Sequence, residues 1–248
     1  NGPKGKVLAF ELDPRAIKAA KSRLKDYKDR IVIVRDSYAH LKDYIKKENL
    51  KPIQGIVFDL GLSSDQLDKA DRGFSFKDHG SLDMRFDPEN QKLKAEDIIL
   101  NWSESELLKI FYEYGEVKQT KRLVQGIIAW RKTFLKQKQK ELKTSMFVSA
   151  ILEILNIKES NLKKHRIHPA TQIFQALRIA VNSELDNISK ALPQALDILE
   201  SGGRIAVISF HSLEDRIVKH YFKQMSQGCI CPPESPVCNC NNKAKLKI

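Results

Sequence analysis

Residues 55–85 read GIVFDLGLSSDQLDKADRGFSFKDHGSLDMR. Ile56-Val57-Phe58 predicts a buried strand that stops at a carboxylate, Asp59, and Gly61, Ser63 and Ser64 then open a long polar loop. An apolar run that ends in an acid and a small-residue turn marks the carboxyl end of a strand in an open α/β sheet, where such sheets bind ligands. The loop carries two clusters, Arg72-Gly73-Phe74-Ser75-Phe76 and Leu82-Asp83-Met84-Arg85. A plain connector has no need of that density of aromatic, acidic and basic groups, so the stretch reads as a site.

Upstream, the pattern is strand, helix, strand, helix, strand. Residues 5–12 predict a buried strand closing at Glu11-Leu12-Asp13, and Pro14 falls in the first turn of a helix over 15–26. Residues 30–35 predict a second buried strand followed by Asp36-Ser37-Tyr38 and a short helix to about residue 47; Pro52 precedes the strand at 55–60. This alternation implies a parallel sheet with right-handed crossovers. Glu11, the Asp36-Ser37-Tyr38 turn and Asp59 close three successive strands and are expected to line one rim. An acid in the position of Glu11 suits the two ribose hydroxyls of an adenosine-containing cofactor; the plain alternative is a helix-capping or surface carboxylate.

From about residue 65 to 166 the pattern turns helical, with helices expected over 95–115, 117–132 and 142–156. This block is rich in basic residues: Lys118, Lys121, Arg122, Arg131, Lys132, Lys136, Lys138, Lys140 and Lys143. Such a face suits nucleic-acid phosphates, although the Lys-Gln tract at 136–140 reads better as a solvated helix face. A long helical region follows over 169–200, with a break expected at Pro193. Ser201-Gly202-Gly203 then turns into a strand over 204–210, closed by His211 and Ser212, and Ser212 with Glu214 and Asp215 nearby marks the start of a helix over 213–225. All four cysteines lie near the end, as Cys229-x-Cys231 and Cys238-x-Cys240. Close thiol pairs can hold zinc, but the spacing is not the common C-x-x-C. Reduced, unliganded thiols are the expectation, and no metal ligand is assigned.

At 248 residues and 42% hydrophobic content, the chain suits one large domain or one domain with an insertion. Its 43 basic and 31 acidic residues leave a net charge of +12, which favours a polyanionic partner, RNA before membrane. No apolar run is long enough for a membrane-spanning helix, and no secretory signal is recognisable. A cytoplasmic protein is expected. The first residue is Asn1 rather than Met, as expected of a fragment.

Several stretches together resemble one family. They are Asp59-Leu-Gly-Leu-Ser-Ser-Asp-Gln-Leu-Asp68, Arg72-Gly-Phe-Ser-Phe76, Leu82-Asp-Met-Arg85, Tyr114-Gly-Glu116 and His168-Pro-Ala-Thr171. Phe174-Gln-Ala-Leu-Arg-Ile179, Val181-Asn182, Glu184-Leu185 and Ser209-Phe-His-Ser-Leu-Glu-Asp-Arg216 complete the set. In this order they are similar to the RsmH (MraW) family, S-adenosylmethionine-dependent methyltransferases acting on the N4 amino group of a cytidine in 16S small-subunit ribosomal RNA. The resemblance implies a class I methyltransferase of the α/β class, a Rossmann-like parallel sheet over residues 1–64 and 167–248. A helical, RNA-recognising insertion is expected over 65–166. It also implies that the family's first strand and glycine-rich loop belong before Asn1.

The resemblance assigns S-adenosylmethionine contacts to Glu11, Tyr38, Asp59 and Gln66. Glu11 stands where the family often has Asp, and Tyr38 where Phe is common. Candidate catalytic groups are Asp59, with His211, Ser212 and Asp215 closing the next strand; a structural hydrogen bond is the alternative for His211. Arg72, Phe74, Phe76, Arg85, Arg178 and Arg216 are the candidate RNA contacts. Internal pairing of the arginines with Asp68, Asp83, Glu184 and Asp215, and packing of the phenylalanines, are the alternatives. The implied partner is 16S RNA in its decoding region within the small ribosomal subunit, and a homodimer is compatible with the sequence. Two other classes stay open: a nicotinamide-dependent oxidoreductase, for which no hydride-transfer constellation is visible, and a non-catalytic RNA-binding or ribosome-assembly protein on a methyltransferase scaffold.

Overall fold

The computed structural model describes residues 2, 4–63, 66–67, 70–75, 80–137, 141–164, 167–232, 234–235 and 237–248. Phe76, Ser64, Asp68, Lys138 and Lys140 lie outside the described residues. The chain divides into two compact units, Asn1–Gly61 with Leu185–Ile248, and Leu62–Glu184. The α/β unit opens with β1 (Val7–Phe10), α1 (Pro14–Arg23), β2 (Ile31–Val34), α2 (Leu41–Lys47) and β3 (Ile53–Asp59). The second unit is helical: α3 (Ala95–Asn101), α4 (Glu104–Glu113), α5 (Thr120–Lys136), α6 (Thr144–Ile154) and α7 (Ala170–Asn182). Then α8 (Glu184–Ile198), β4 (Leu199–Ile208) and α9 (Ser212–Met225) complete the first. The second crossing falls at Glu184/Leu185, so α7 packs in the helical unit rather than in the α/β unit where the sequence places residues 167–182. Its Ile173, Phe174 and Leu177 join the buried cluster of that unit.

The strands are parallel, but they form two pairs rather than one continuous sheet. β1 runs beside β2 from Val7↔Ile31 to Phe10↔Val34. β3 runs beside β4 from Gly55↔Arg204 to Asp59↔Ile208. β4 reaches further back than the sequence suggests, to Leu199, because the register shifts between Ile53 and Gly55 and the Glu200–Gly203 segment bulges out. Gly202 serves that bulge with φ +83°, a conformation glycine adopts at little cost.

The expectation of buried strands is corrected. Phe58 is buried against Leu41, Ile188, Leu192 and Val218, while Val57 is 70% exposed and Ile208 49%. Only one face of the β3–β4 pair meets α8 and α9, so residues alternate in and out. By contrast, the largest fully buried side chains among the described residues, including Phe111, Phe147, Leu82 and Ile98, all belong to the helical unit. At ~1.5–3 kcal/mol for each such side chain, this dry core is the main store of apolar stabilisation in the chain.

Two helix breaks differ from expectation. The stretch 95–115 divides at Ser103, whose hydroxyl accepts the Glu106 N–H while the Glu106 carboxylate accepts the Ser103 N–H at 2.8 Å. The stretch 169–200 breaks at Ser183, in the left-handed conformation with φ 52°, and not at Pro193, which lies inside α8. Pro193 and Ser189, whose carbonyl loses its helical donor, are both on the exposed face, where water can serve that carbonyl.

Residues 72–75 and 80–91 are held in part by buried polar side chains. Asn182 donates to Met84 O at 2.8 Å and to Arg178 O at 2.9 Å, and accepts from Phe86 N at 2.8 Å and Gln91 Nε2 at 3.2 Å. Met84 itself is buried with φ 63°. Gly73 has φ +72°, and a Cβ there would collide with the Ser81 carbonyl oxygen and stand 2.9 Å from Asp83 N. Asn182→Ala should therefore leave Met84 O and Phe86 N–H buried without a partner and lower stability by about 2–5 kcal/mol. Urea unfolding followed by circular dichroism measures this, and an unchanged midpoint would reject the network as a stabilising element.

Candidate functional site

The rim of the α/β unit is built from strand ends. Glu11 follows β1, and its N–H donates to Val34 O at 3.0 Å, continuing the β1–β2 ladder by one residue. Glu11 Oε1 accepts from the N–H groups of Leu12 and Asp13, both at 2.8 Å. Asp13 is the N-cap of α1 and accepts from Arg15 N at 2.9 Å, with Pro14 in the first turn. One carboxylate oxygen of Glu11 is thus fixed by the backbone, which orients the other.

After β2, Asp36 anchors the next turn. Its Oδ1 accepts from Ser37 N at 2.6 Å and lies 3.1 Å from His40 Nδ1, and its Oδ2 accepts from the Tyr44 hydroxyl at 3.0 Å. Partial burial works to raise the Asp36 pKa, but the Ser37 N–H, His40 and Tyr44 outweigh it and hold the carboxyl below the ordinary aspartate value. The same bond to Asp36 raises the Tyr44 pKa, with burial adding to it. This turn sets Tyr38, whose ring meets Phe58 edge-on, with centroids 5.6 Å apart. Tyr38 is therefore packed against the residue preceding Asp59, and it links the end of β2 to the end of β3.

Asp59 is exposed at the end of β3, paired in register with Ile208 of β4. Leu60 N continues the ladder to Ile208 O at 3.1 Å. Gly61 turns the chain with φ +84°, and a Cβ there would stand 3.2 Å from Phe210 Cδ2. Phe210 lies beyond the strand and is 64% exposed, an aromatic face beside Asp59-Leu60-Gly61 that the sequence places inside the strand. Its sequence signal is its position directly after an apolar run and before a helix cap.

His211, rather than Ser212, caps α9. Its Nδ1 faces Glu214 N at 3.5 Å, while Glu214 Oε2 accepts from Phe210 N at 2.8 Å and His211 N at 3.3 Å. His211 Nε2 lies 3.3 Å from Glu214 Oε1. Both ring nitrogens thus face Glu214, a fully buried acid that sequence reasoning treats only as part of a helix start. Asp215 pairs with Lys219 at 2.8 Å on the helix surface, and Ser212 and Arg216 are exposed.

In the helical unit, Gln66 is buried and its Oε1 accepts from Ser63 N at 3.0 Å. Three of the arginines expected at RNA have internal partners. Arg72 is buried, donates to the Arg85 and Phe86 carbonyls at 2.6 and 3.0 Å, and lies over the Phe74 ring. Arg85 makes a bidentate pair with Asp83 at 2.7 and 2.6 Å and also donates to Pro88 O and Gln91 O. Arg178 makes a bidentate pair with Glu184 at 2.8 and 2.9 Å. Phe74 is buried against Phe86. For Arg72, Arg85, Arg178 and Phe74 the geometry is that of internal pairing and packing. Lys118, Lys121, Arg122, Lys132 and Lys136, by contrast, are exposed.

Near the end of the chain, the Sγ atoms of Cys229, Cys231, Cys238 and Cys240 lie within 4.8 Å of one another. The N–H groups of Ile230 and Asn242 pull the Cys240 thiol down to about 6. For Cys229 the Cys231 N–H pulls down, but the neighbouring sulfurs of Cys238, Cys231 and Cys240 push it up to about 12.

The comparisons with known proteins agree in direction. A model of the MraW methylase family matches residues 1–248. A protein named ribosomal RNA small subunit methyltransferase H from Dehalococcoides mccartyi is 43% identical over 246 residues, covering 99% of this chain and 66% of that protein. Its namesakes from Brevibacillus brevis and Thermomicrobium roseum are 42% identical over 244 residues and 40% over 249, the chain spanning 75% and 73% of their lengths and the matches covering 98% and 100% of it.

The Asp36 turn can be tested directly. Carboxyl carbon resonances followed by NMR should give Asp36 a midpoint below 3.8. Stability linked to this group is present above the ordinary carboxylate range and is lost as pH falls through its own, lower midpoint. Tyr44→Phe should move the midpoint upward; no movement would remove Tyr44 from the network.

Proposed function

The chain belongs to the MraW methylase family, and from that premise we propose that it transfers a methyl group from S-adenosylmethionine to the N4 amino group of a cytidine in the decoding region of small-subunit ribosomal RNA. The observation that carries the reading is the Tyr38–Phe58 contact. It joins the rim holding Glu11 to the strand end holding Asp59.

The residues present fit the cofactor. Glu11 has one oxygen tied to backbone N–H groups and the other oriented to accept from ribose hydroxyls. Tyr38 offers an aromatic edge beside an adenine. Gln66 is the remaining candidate contact that the sequence motif implies. S-adenosylmethionine supplies, when bound, an electrophilic methyl group on a sulfonium.

An exocyclic cytosine amine is a poor nucleophile because its lone pair is delocalised into the ring. Asp59 would accept an amine hydrogen, orient the nitrogen and take the proton released when the methyl group passes from the sulfonium sulfur, which leaves as a neutral thioether, to that nitrogen. Phe210 offers a stacking face for a base that has left its helix. His211, whose Nδ1 accepts from the Glu214 N–H and whose Nε2 lies 3.3 Å from the Glu214 carboxylate, shapes the end of β4 together with Ser212 rather than moving a proton. Asp215 and Arg216 lie on the outward surface of the same helix. RNA phosphates are drawn to the exposed lysines of α5 and to Lys118. This reading places the protein with ribosomal subunits in the cytoplasm; no helix among the described residues is long and apolar enough to cross a membrane.

Small subunits lacking the modification, incubated with the full-length protein and labelled S-adenosylmethionine, should yield N4-methylcytidine by nucleoside mass spectrometry. Asp59→Ala should lower the rate about 10²–10⁴-fold even at saturating cofactor. Glu11→Gln should weaken cofactor binding about 10–100-fold, the worth of a charge-assisted hydrogen bond. No transfer by the parent protein, with no cofactor binding, would sink the enzyme reading and leave an RNA-binding protein.

A further inference from the structure

After α9 none of the described apolar residues is buried, yet the described residues of 229–232 and 237–240 come close together. Ile230 and Val237, their large apolar residues, are 59% and 65% exposed. What the segment does bring together is sulfur. Sγ separations are 3.4 Å for Cys229–Cys238, 3.5 Å for Cys238–Cys240, 3.8 Å for Cys240–Cys229 and 4.0 Å for Cys231–Cys238. None of the four cysteines is in a disulfide.

These distances have a chemical meaning. Sulfurs at the corners of a tetrahedron around Zn²⁺, with Zn–S of about 2.3 Å, stand ~3.8 Å apart. The separations here bracket that value. A pair of disulfides would instead make two contacts of about 2.05 Å and draw the remaining ones apart. An iron–sulfur cluster would need more room, because its irons and bridging sulfides sit between the cysteine sulfurs.

The backbone is arranged around the same four atoms. Ile230, between the first two cysteines, donates its N–H to Cys240 Sγ at 3.4 Å. Asn239, between the second two, donates its N–H to Cys231 Sγ at 3.4 Å. Each Cys-x-Cys turn therefore supports a sulfur of the other, a reciprocal arrangement that orients thiolates and offsets their charge. The turn is also tied back to the body of the unit. Lys245 and Leu246 donate to Met225 O at 2.8 and 3.1 Å, and Asn242 donates to Gln227 O at 2.7 Å.

We propose that Cys229, Cys231, Cys238 and Cys240 form a tetrathiolate Zn²⁺ site. With four protein ligands it has no open position, so it is structural: it folds the segment after α9 and fixes its return to the end of that helix. The proposal departs from the expectation of unliganded thiols, which rested on spacing; the two turns interleave, and spacing along each says little about where the sulfurs meet.

Full-length protein purified in reductant and without chelator should carry about one zinc per chain by plasma mass spectrometry. A mercurial should release it, and Co²⁺ exchanged into the site should show the visible absorption of tetrahedral thiolate coordination. Cys229→Ser and Cys238→Ser, made singly, should lower zinc affinity at least ~10-fold while the far-ultraviolet spectrum of the helical unit stays that of the parent. Metal-depleted protein should become sensitive to protease between residues 228 and 241. Absence of zinc with four thiols freely reactive to Ellman's reagent, disulfides by mass spectrometry, or iron in place of zinc would each overturn the assignment.

Discussion

Parallel pairing of β3 with β4 is the constraint on which the α/β unit rests. The two strands are separated in the chain by the whole helical unit, yet they meet in register from Gly55↔Arg204 to Asp59↔Ile208. That ladder places Asp59, Gly61 and Phe210 at one strand end, which no local sequence feature could do. Closing a long loop costs only slightly more than closing a short one, about 0.6 kcal/mol per doubling of length. The intervening segment also carries its own dry core, so its ordering does not have to be supplied by strand pairing.

The helical unit shows how buried charge and amide groups can hold a loop with little regular structure. Asn182 uses both of its donors and its acceptor on four partners, and Arg72 and Arg85 thread the same loop with bonds to carbonyls and to Asp83. A guanidinium with a bidentate carboxylate partner in a half-buried setting is held in place. Its charge is then largely neutralised, so it contributes little to a field that attracts a polyanion. The net positive charge of the chain is expressed outward mainly through lysines.

Much of the fold was legible. Apolar runs closed by Glu11, Asp36 and Asp59 gave the strand ends, and Asp13-Pro14 marks a helix start by a mechanism that acts within a few residues. Three things were not. Strand burial depends on what covers each face, and Val57 looks like Phe58 in sequence while differing completely in exposure. The break at Ser183 depends on a left-handed backbone that serine adopts only in context, whereas Pro193 looks like a breaker and is accommodated on an exposed face. At the site, Asp59 and Glu11 were visible as terminal acids, while Glu214 looked like an ordinary first-turn carboxylate. Only the packed structure shows it holding both Phe210 and His211 by the backbone.

The bulge at Glu200–Gly203 has a consequence for the far end of its strand. Between Ile53 and Gly55 the partner strand advances two positions while β4 advances five, from Leu199 to Arg204. Slack of this kind takes up differences in chain length: a residue gained or lost there changes the size of the bulge and leaves Arg204 opposite Gly55. A Cβ at Gly202 would meet nothing within 4 Å, so the bulge has room to grow. The side-chain alternation from Arg204 onward, and with it the place of Phe210 beside Gly61, is thereby insulated from length changes near the start of the strand.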